Sequence, residues 1–407
     1  MLRTHCLRWA LNKMNVLFLI GSYSSFGGTE RITTVLANAL AKEGRVHIAA
    51  FREKCDPQKL GLDAVVKCHE LGRRPAKALR KILIEQQIDV IVNQWCLPFY
   101  VTLTINRARK GLHVRLVSAL HGVPHRSKVV IRAEDAVRSA RGLRKVIAAL
   151  KLWAVEKVVK ASIRFVYRQS DAYVVLSKGF LRTFRDYTGI SDCSKLVAIS
   201  NPITIETDYV HDYSGEKRNQ ILYVGRMDKE NKRVNRIVEA WEAVSGQHPD
   251  WELVLVGDGP HLEELKETVA ERRIPRVTFT GFVDGDLRDY YRHAAIFMLT
   301  SDLEGFGLVI VEAMSYGVVP IVYGSYVSVY DIIDSDVNGI ITPIPYSQEK
   351  TVAALEKLMD NPEKRKKMSV LAREKSKNFE LLVVLAQWKN VLSAKAVPSR
   401  GNESLKV

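Results

Sequence analysis

The stretch AIFMLTSDLEGFGLVIVEAMSYGVVPIVYG, Ala295–Gly324, holds the pattern that decides the fold. Its two apolar runs, AIFMLTS and VVPIVYG, read as buried strands. Between them Gly305 and Gly307 interrupt the chain, and an apolar helical segment begins near Leu308. Strand, glycine turn, helix and strand form a βαβ unit, which calls for a parallel sheet. Glu304 precedes the turn, and Glu312 lies eight positions later inside the helix.

The unit repeats upstream. QILYVGR (Gln220–Arg226) and WELVLVGDGP (Trp251–Pro260) are strands running into glycine turns, and VTFTGFV is a further strand. NRIVEAWEAV and HLEELKETVAERR supply the intervening helices. An earlier set starts with the apolar run Val16–Ile20, then Gly21, Gly27 and Gly28. An amphipathic helix follows, with Ile32, Val35, Leu36, Ala39 and Leu40 on one face and Gly44 as its stop. Strands are expected over Val46–Phe51, Asp89–Trp95, Val114–Gly122 and Asp171–Ser177. Asn201-Pro202 and the polar residues to Asn219 read as a linker, and Asn361-Pro362 as a break in the last helical region. The expected fold class is therefore α/β: two Rossmann-like, doubly wound domains, 14–205 and 215–390, facing across a cleft, with a tail over 391–407 that frays from Pro398. In such sheets ligands bind at the carboxyl ends of the strands. The glycine turns after Ile20, Val224 and Val256 all fall at that edge.

Composition narrows the partners. The 407 residues are 47% hydrophobic, enough for two cores. Lys and Arg number 61 against 45 Asp and Glu, a net charge of +16, which favours anionic partners. Between Arg126 and Arg168 twelve Lys/Arg face three Asp/Glu, so this segment alone contributes +9. Its helix VIAALKLWAVEKVVKASIRFVY carries Lys157, Lys160 and Arg164 on one side, and Arg132, Arg138, Arg141, Arg144 and Lys145 extend the charge. It reads either as a core helix with a solvated basic face or, as favoured here, as a patch for anionic lipid or an acceptor pyrophosphate. Cys6, Cys55, Cys68, Cys96 and Cys193 are odd in number and widely spaced, which fits a reducing cytoplasm better than disulfides or structural zinc. MLRTHCLRWALNK lacks the apolar core of a secretory signal. Either Met14, followed at once by NVLFLI, is the functional start, or the thirteen residues before it form a short ordered arm.

These motifs together resemble the two-domain GT-B glycosyltransferases, in particular the retaining group 4 enzymes (glycosyl transferases group 1) of the bacterial surface-polysaccharide type. The resemblance covers nearly the whole chain after Met14. Its most specific part is a Glu, seven residues and a second Glu, here Glu304-GFGLVIV-Glu312. It implies that Glu304 reaches the hydroxyls of a nucleotide sugar and that Glu312 faces the cleft and accepts from the ribose diol. Gly305, Phe306, Gly307 and Leu308 then bring backbone amides and a helix N-terminus to the diphosphate. In YVGRMDKENKR the resemblance makes Arg226, after Gly225, and Lys232 the clamp on the departing phosphate. Here Arg233 follows the lysine where glycine is more usual, and Lys229 is a nearby competitor. SFGGTE, with Gly27 and Gly28, corresponds to the loop over the phosphates and acceptor. His121 in ALHG corresponds to a histidine beside the transferred sugar, and VGDGP, with Gly257, lines the base. The catalytic set is thus Arg226, Lys232, Glu304 and His121.

Asp284-Gly285-Asp286 and Asp334-Ser335-Asp336 match the Asp-x-Asp of metal-dependent transferases, but they lie late and in turns, where local hydrogen bonding explains them. No metal site, cofactor or required divalent ion is expected. The implied reaction moves a hexose or N-acetylhexosamine from a UDP- or GDP-sugar, UDP favoured, to a lipid-linked glycan in lipopolysaccharide or surface polysaccharide biosynthesis. The implied location is the cytoplasmic face of the inner membrane. A GT-B epimerase or phosphorylase is the near alternative, separated by product analysis. A basic nucleic-acid-binding protein is the distant one, and it lacks a helix-turn-helix, zinc pattern or aromatic RNP-like strand.

Overall fold

The computed structural model describes residues 14–23, 27–51 and 61–394, leaving the side chain of Lys128 aside. The thirteen residues before Met14, Ser25 of the first glycine loop, Cys55 and the tail beyond Ala394 lie outside the described residues. Two compact units are present: residues up to Val175, 181–199 and from Leu385 onward form one, and Leu176–Phe180 with Ser200–Val384 form the other.

The first unit is a seven-stranded sheet in the order β3-β2-β1-β4-β5-β6-β7. Its strands are β1 (Asn15–Ile20), β2 (Arg45–Ala50), β3 (Lys67–Glu70), β4 (Val90–Asn93), β5 (Arg115–Leu120), β6 (Ala172–Val175) and β7 (Leu196–Ala198). The second is a six-stranded sheet, β10-β9-β8-β11-β12-β13. It comprises β8 (Gln220–Val224), β9 (Glu252–Val256), β10 (Val277–Gly281), β11 (Ile296–Leu299), β12 (Val319–Tyr323) and β13 (Ile340–Thr342). All neighbouring strands in both sheets are parallel. A parallel sheet covered by helices on both faces buries every side chain of its central strands. That is why β1, β4, β8, β11 and β12 are buried from end to end. In each sheet the strand order reverses once, between β1 and β4 and between β8 and β11.

Under the first sheet, Leu17, Leu19, Ile91 and Leu116 pack with Leu79, Leu83, Val101 and Ile105 from the helices Pro75–Glu85 and Phe99–Arg109. Each such aliphatic side chain contributes about 1.5–3 kcal/mol on full burial. Carboxylates close the strand starts: Asp89 accepts from the Asn15 amide at 2.8 Å, and Asp171 from the Leu116 amide at 2.7 Å. In the second unit, Trp241 is fully buried and its indole donates to the Pro275 carbonyl at 2.8 Å.

Three features differ from the sequence reading. The supposed linker folds with the second unit: Tyr213 is buried 4.9 Å from the Tyr316 ring, and the Ile203 amide donates to the Phe379 carbonyl at 2.8 Å. Helix Leu381–Ser393 runs past 390, so the tail does not start at 391. From Leu385 this helix belongs with the first unit rather than the second. There Arg115 donates to the carbonyls of Val391 and Leu392, at 3.1 and 2.6 Å, closing the helix C-terminus.

Candidate active site

In the second unit the strands that flank the reversal each end in a turn bearing a candidate residue. β8 runs into Gly225-Arg226, and β11 into Thr300–Glu304. This is the crevice position at which open α/β sheets bind ligands. The turn after β8 is locked to its neighbour by main-chain hydrogen bonds. Gly225 donates to Val256 at 3.0 Å, Met227 to Asp258 at 2.9 Å, His261 to Met227 at 3.1 Å, and Gly257 to Gly281 at 3.0 Å. Such interlocking needs glycine. At Gly257, φ is +134°, and a Cβ there would sit 1.9 Å from the Gly225 carbonyl oxygen. The sequence reading gave Gly225 and Gly257 to the ligand; in this structure Gly257 also lets backbone meet backbone, and a Cβ at Gly225 would meet the Tyr223 hydroxyl at 2.9 Å.

Arg226 is exposed, and its guanidinium has no partner among the described residues; only its carbonyl is engaged, by the Tyr223 hydroxyl at 2.8 Å. Lys232 is different. Its Nζ lies 2.5 Å from Glu304 Oε1, with only 20% and 15% of the two side chains exposed. The loops are drawn together by Asn231, whose side chain donates to the Leu303 carbonyl at 3.1 Å and whose carbonyl accepts from Asp302 at 2.8 Å. Asp228 Oδ1 holds the amides of Asn231 and Lys232, each at 2.8 Å. Arg233 has φ of +51°, a left-handed conformation. That conformation suits the glycine that the resemblance leads one to expect there. Here the arginine is tied down by Asp302, 2.7 Å from its Nε, and Asp302 also takes Arg236 at 2.7 Å. Lys229, the competitor, pairs with Glu264 on the surface instead.

The turn after Glu304 presents amides. Gly307 has φ of +100° and leads into the helix Leu308–Ser315. The amides of Gly305, Phe306, Gly307 and Leu308 donate to no acceptor among the described residues. Together with the helix N-terminus they form an anion-binding arrangement beside a lysine and a free arginine. Phe306 is buried against Phe379, with ring centroids 5.7 Å apart, and fixes the turn from behind.

Glu312 does not stand as expected. Its side chain is fully buried rather than open to a ligand. Thr204 donates to one oxygen at 2.6 Å and Tyr291 to the other at 3.1 Å. The charge in this apolar helix is thus compensated by protein hydroxyls. Neither partner was visible in the sequence, because Thr204 lies 108 positions away in the supposed linker.

In the first unit, His121 follows β5 and Gln94 follows β4, on one side of that sheet's reversal. A ring nitrogen of His121, Nε2, meets Gln94 Oε1, and burial lowers its pKa to about 4, so the imidazole is neutral near pH 7. Gln94 was not singled out in the sequence; its place after a buried strand was the available signal. Gly27 caps the helix Gly28–Ala41, and the Glu30 carboxylate lies where a Gly27 side chain would be. The acid of this first helical turn therefore sits at its own N-terminus.

Three of the four aspartates in the two Asp-x-Asp pairs are engaged by protein groups. Asp286 accepts from Arg288, Asp334 from Lys375 and Asp336 from Lys357. An open cavity of about 500 Å³ lies elsewhere in the second unit, lined by His211, Tyr213, Glu216, Arg288 and Arg292 among others. Its charged groups pair with one another, Glu216 with Arg292 and Arg288 with Glu206, and a ring nitrogen of His211 hydrogen-bonds to Glu216.

Two family models account for most of the chain: glycosyltransferase family 4 over residues 26–207 and glycosyl transferases group 1 over residues 210–375. The chain is a GT-B glycosyltransferase. The fold neighbours agree. A lipopolysaccharide outer core galactosyltransferase, WaaB, in its apo form superposes with a TM-score of 0.68 at 20% identity, covering 93% of this chain and 99% of that one. HepE from Anabaena, solved with UDP, gives 0.71 at 18% identity, covering 93% and 100%. Among curated proteins, a Campylobacter jejuni enzyme is 25% identical over 395 residues, 93% of this glycosyltransferase and 98% of its relative. Its name is GalNAc-alpha-(1->4)-GalNAc-alpha-(1->3)-diNAcBac-PP-undecaprenol alpha-1,4-N-acetyl-D-galactosaminyltransferase. Relatives of this kind place the present glycosyltransferase in glycan biosynthesis.

Proposed function

We propose that this glycosyltransferase is a retaining enzyme that moves a hexose or N-acetylhexosamine from a nucleotide-diphosphate sugar, UDP favoured, to a lipid-linked glycan. The observation that carries the reading is the grouping of Arg226, the Lys232–Glu304 pair and the unpartnered amides of 305–308 at one strand edge. Two cations and four amides suit a diphosphate leaving group, and a carboxylate beside them suits sugar hydroxyls. In the proposed step the acceptor oxygen bonds to the anomeric carbon on the face from which the phosphate oxygen departs. The nucleoside diphosphate leaves with the bonding pair and takes the acceptor's proton. Arg226 and Lys232 stabilise the charge that grows on it. Glu312 is proposed to turn to the ribose diol on donor binding, exchanging one of its protein hydroxyls for it.

The acceptor's lipid is matched by a surface of the first unit. Within the helix Gly142–Gln169 burial begins only at Val159. Before that point Leu143, Val146, Ile147, Leu150 and Trp153 recur at helical spacing and are exposed, Leu143 by 76% and Trp153 by 60%. Arg141, Arg144, Lys145, Lys151 and Lys157 accompany them. An exposed apolar row bordered by cations suits the headgroup region of an anionic bilayer, and no helix among the described residues is long and apolar enough to cross one. Each basic residue near such a surface contributes about 1 kcal/mol. Neutralising Arg138, Arg141, Arg144 and Lys145 is expected to lower partitioning onto phosphatidylglycerol vesicles by about a hundredfold or more. Unchanged sedimentation with vesicles would remove the membrane from this reading.

The reaction is tested by incubating the protein with UDP- and GDP-sugars and undecaprenyl-diphosphate-linked glycans, in EDTA, and identifying the products. The expected product is longer by one sugar, with the donor's anomeric configuration. Inversion at that carbon would overturn the mechanism, and dependence on added divalent ions would restore a metal role to an aspartate pair.

A further inference from the structure

Two buried hydroxyls on the segments that follow β11 and β12 have no partner, those of Ser301 and Tyr326. The tyrosine is the informative one. It follows β12, is only 3% exposed, and its ring is packed away from solvent. Its hydroxyl is nevertheless aimed at the turn: it lies 3.6 Å from the position a Gly307 Cβ would occupy. The neighbouring segment is anchored there too, since the Ser328 hydroxyl donates to the Phe306 carbonyl at 3.2 Å. Burial, and next the charge of Glu304, hold the Tyr326 hydroxyl well above the usual tyrosine range, so it keeps its proton and can only be a neutral donor or acceptor.

A buried hydroxyl without a partner costs about 1–3 kcal/mol. Tyrosine at this position is therefore explained only if a partner arrives. The turn that the hydroxyl faces at Gly307 defines that partner. The amides of Gly305, Phe306, Gly307 and Leu308 are all donors, and all are unpaired. What satisfies several adjacent donors at once is an anionic oxygen. We propose that the Tyr326 hydroxyl is a further donor of the diphosphate site, completing the hydrogen bonds of the Gly305–Leu308 turn to a phosphate oxygen of the nucleotide sugar. This rests on the proposed nucleotide-sugar reaction and adds a specific side chain to it.

The test is Tyr326→Phe, which removes one oxygen and keeps the ring. Calorimetric titration with UDP, GDP and uridine is run on both proteins, together with thermal unfolding without ligand. The expected result is a nucleoside diphosphate affinity about tenfold to a hundredfold weaker, because a hydrogen bond to a charged oxygen is lost. Uridine affinity should be unchanged, and the ligand-free Tm equal to or above that of the parent. Equal diphosphate affinity in the two proteins overturns the inference while leaving the proposed reaction intact. Equal weakening towards uridine and diphosphate, or a lowered ligand-free Tm, also overturns it, because the hydroxyl is then structural. A parent protein that binds neither diphosphate overturns both.

Discussion

Replacing Lys232 with alanine is expected to lower kcat by about a hundredfold to a thousandfold, the scale for loss of one preorganised group facing transition-state charge. The lysine's position explains why the loss should be so large. Its side chain is four-fifths buried and its ammonium lies 2.5 Å from Glu304, so it is already oriented before any donor binds. The same substitution leaves Glu304 without its cation in a half-closed turn, and donor affinity should fall as well. Arg226→Ala is the instructive comparison. Its guanidinium makes no hydrogen bond or ion pair with a described residue, so thermal stability should not change and donor binding should carry the defect. Steady-state kinetics with a UDP-sugar and thermal unfolding separate the two. A kcat within tenfold of the parent for Lys232→Ala would show that the lysine belongs to the protein's own ion pair and not to the reaction.

The largest effect on stability should come from Gly257→Ala. A methyl group there meets the Gly225 carbonyl oxygen at 1.9 Å, and φ of +134° is hostile to any L-residue. Backbone cannot swing aside as a side chain can. Strained φ alone costs about 1–3 kcal/mol, and relieving the clash must open the hydrogen bonds between the two turns as well. A loss of about 4 kcal/mol is expected, which for a unit of this size lowers Tm by roughly 10 °C. Gly246→Ala is the control: φ is −70°, and nothing lies within 4 Å of the added carbon, so its Tm should be nearly unchanged. A Gly257→Ala protein as stable as the control would mean that the turns are not coupled.

The architecture was legible because parallel strands advertise themselves as unbroken apolar runs, and their turns as glycines. The region 295–324 showed strand, turn, helix and strand without any partner being known. The short strands β3, β7 and β13 escaped because three or four residues carry no periodicity. The allegiance of the last helix escaped because Arg115 reaches its end across 276 positions, and local pattern contains no such information. At the site, the types of residue were readable but their pairings were not. The sequence shows Lys232 and Glu304, not that they bind each other. It shows that Arg233 departs from glycine, not that Asp302 holds it in a left-handed turn. It gives no hint of Tyr326, since a tyrosine in SYVSVY looks like any other residue packing beside a strand. Glu312 was read as facing the cleft to meet a ribose, and which protein hydroxyls surround it instead depends on packing that the sequence does not display.

The ladder that joins the turns after β8, β9 and β10 limits how this chain can diverge. Surface loops ordinarily absorb insertions and deletions. Gly225–Met227 and Gly257–Gly259 cannot, because one residue more or fewer in either would shift every main-chain bond that follows. Drift is left to side chains hanging from a fixed frame, such as Arg226, Asp258 and Lys229. A lineage can therefore change what this strand edge presents by single substitutions, while the edge itself is inherited as one piece.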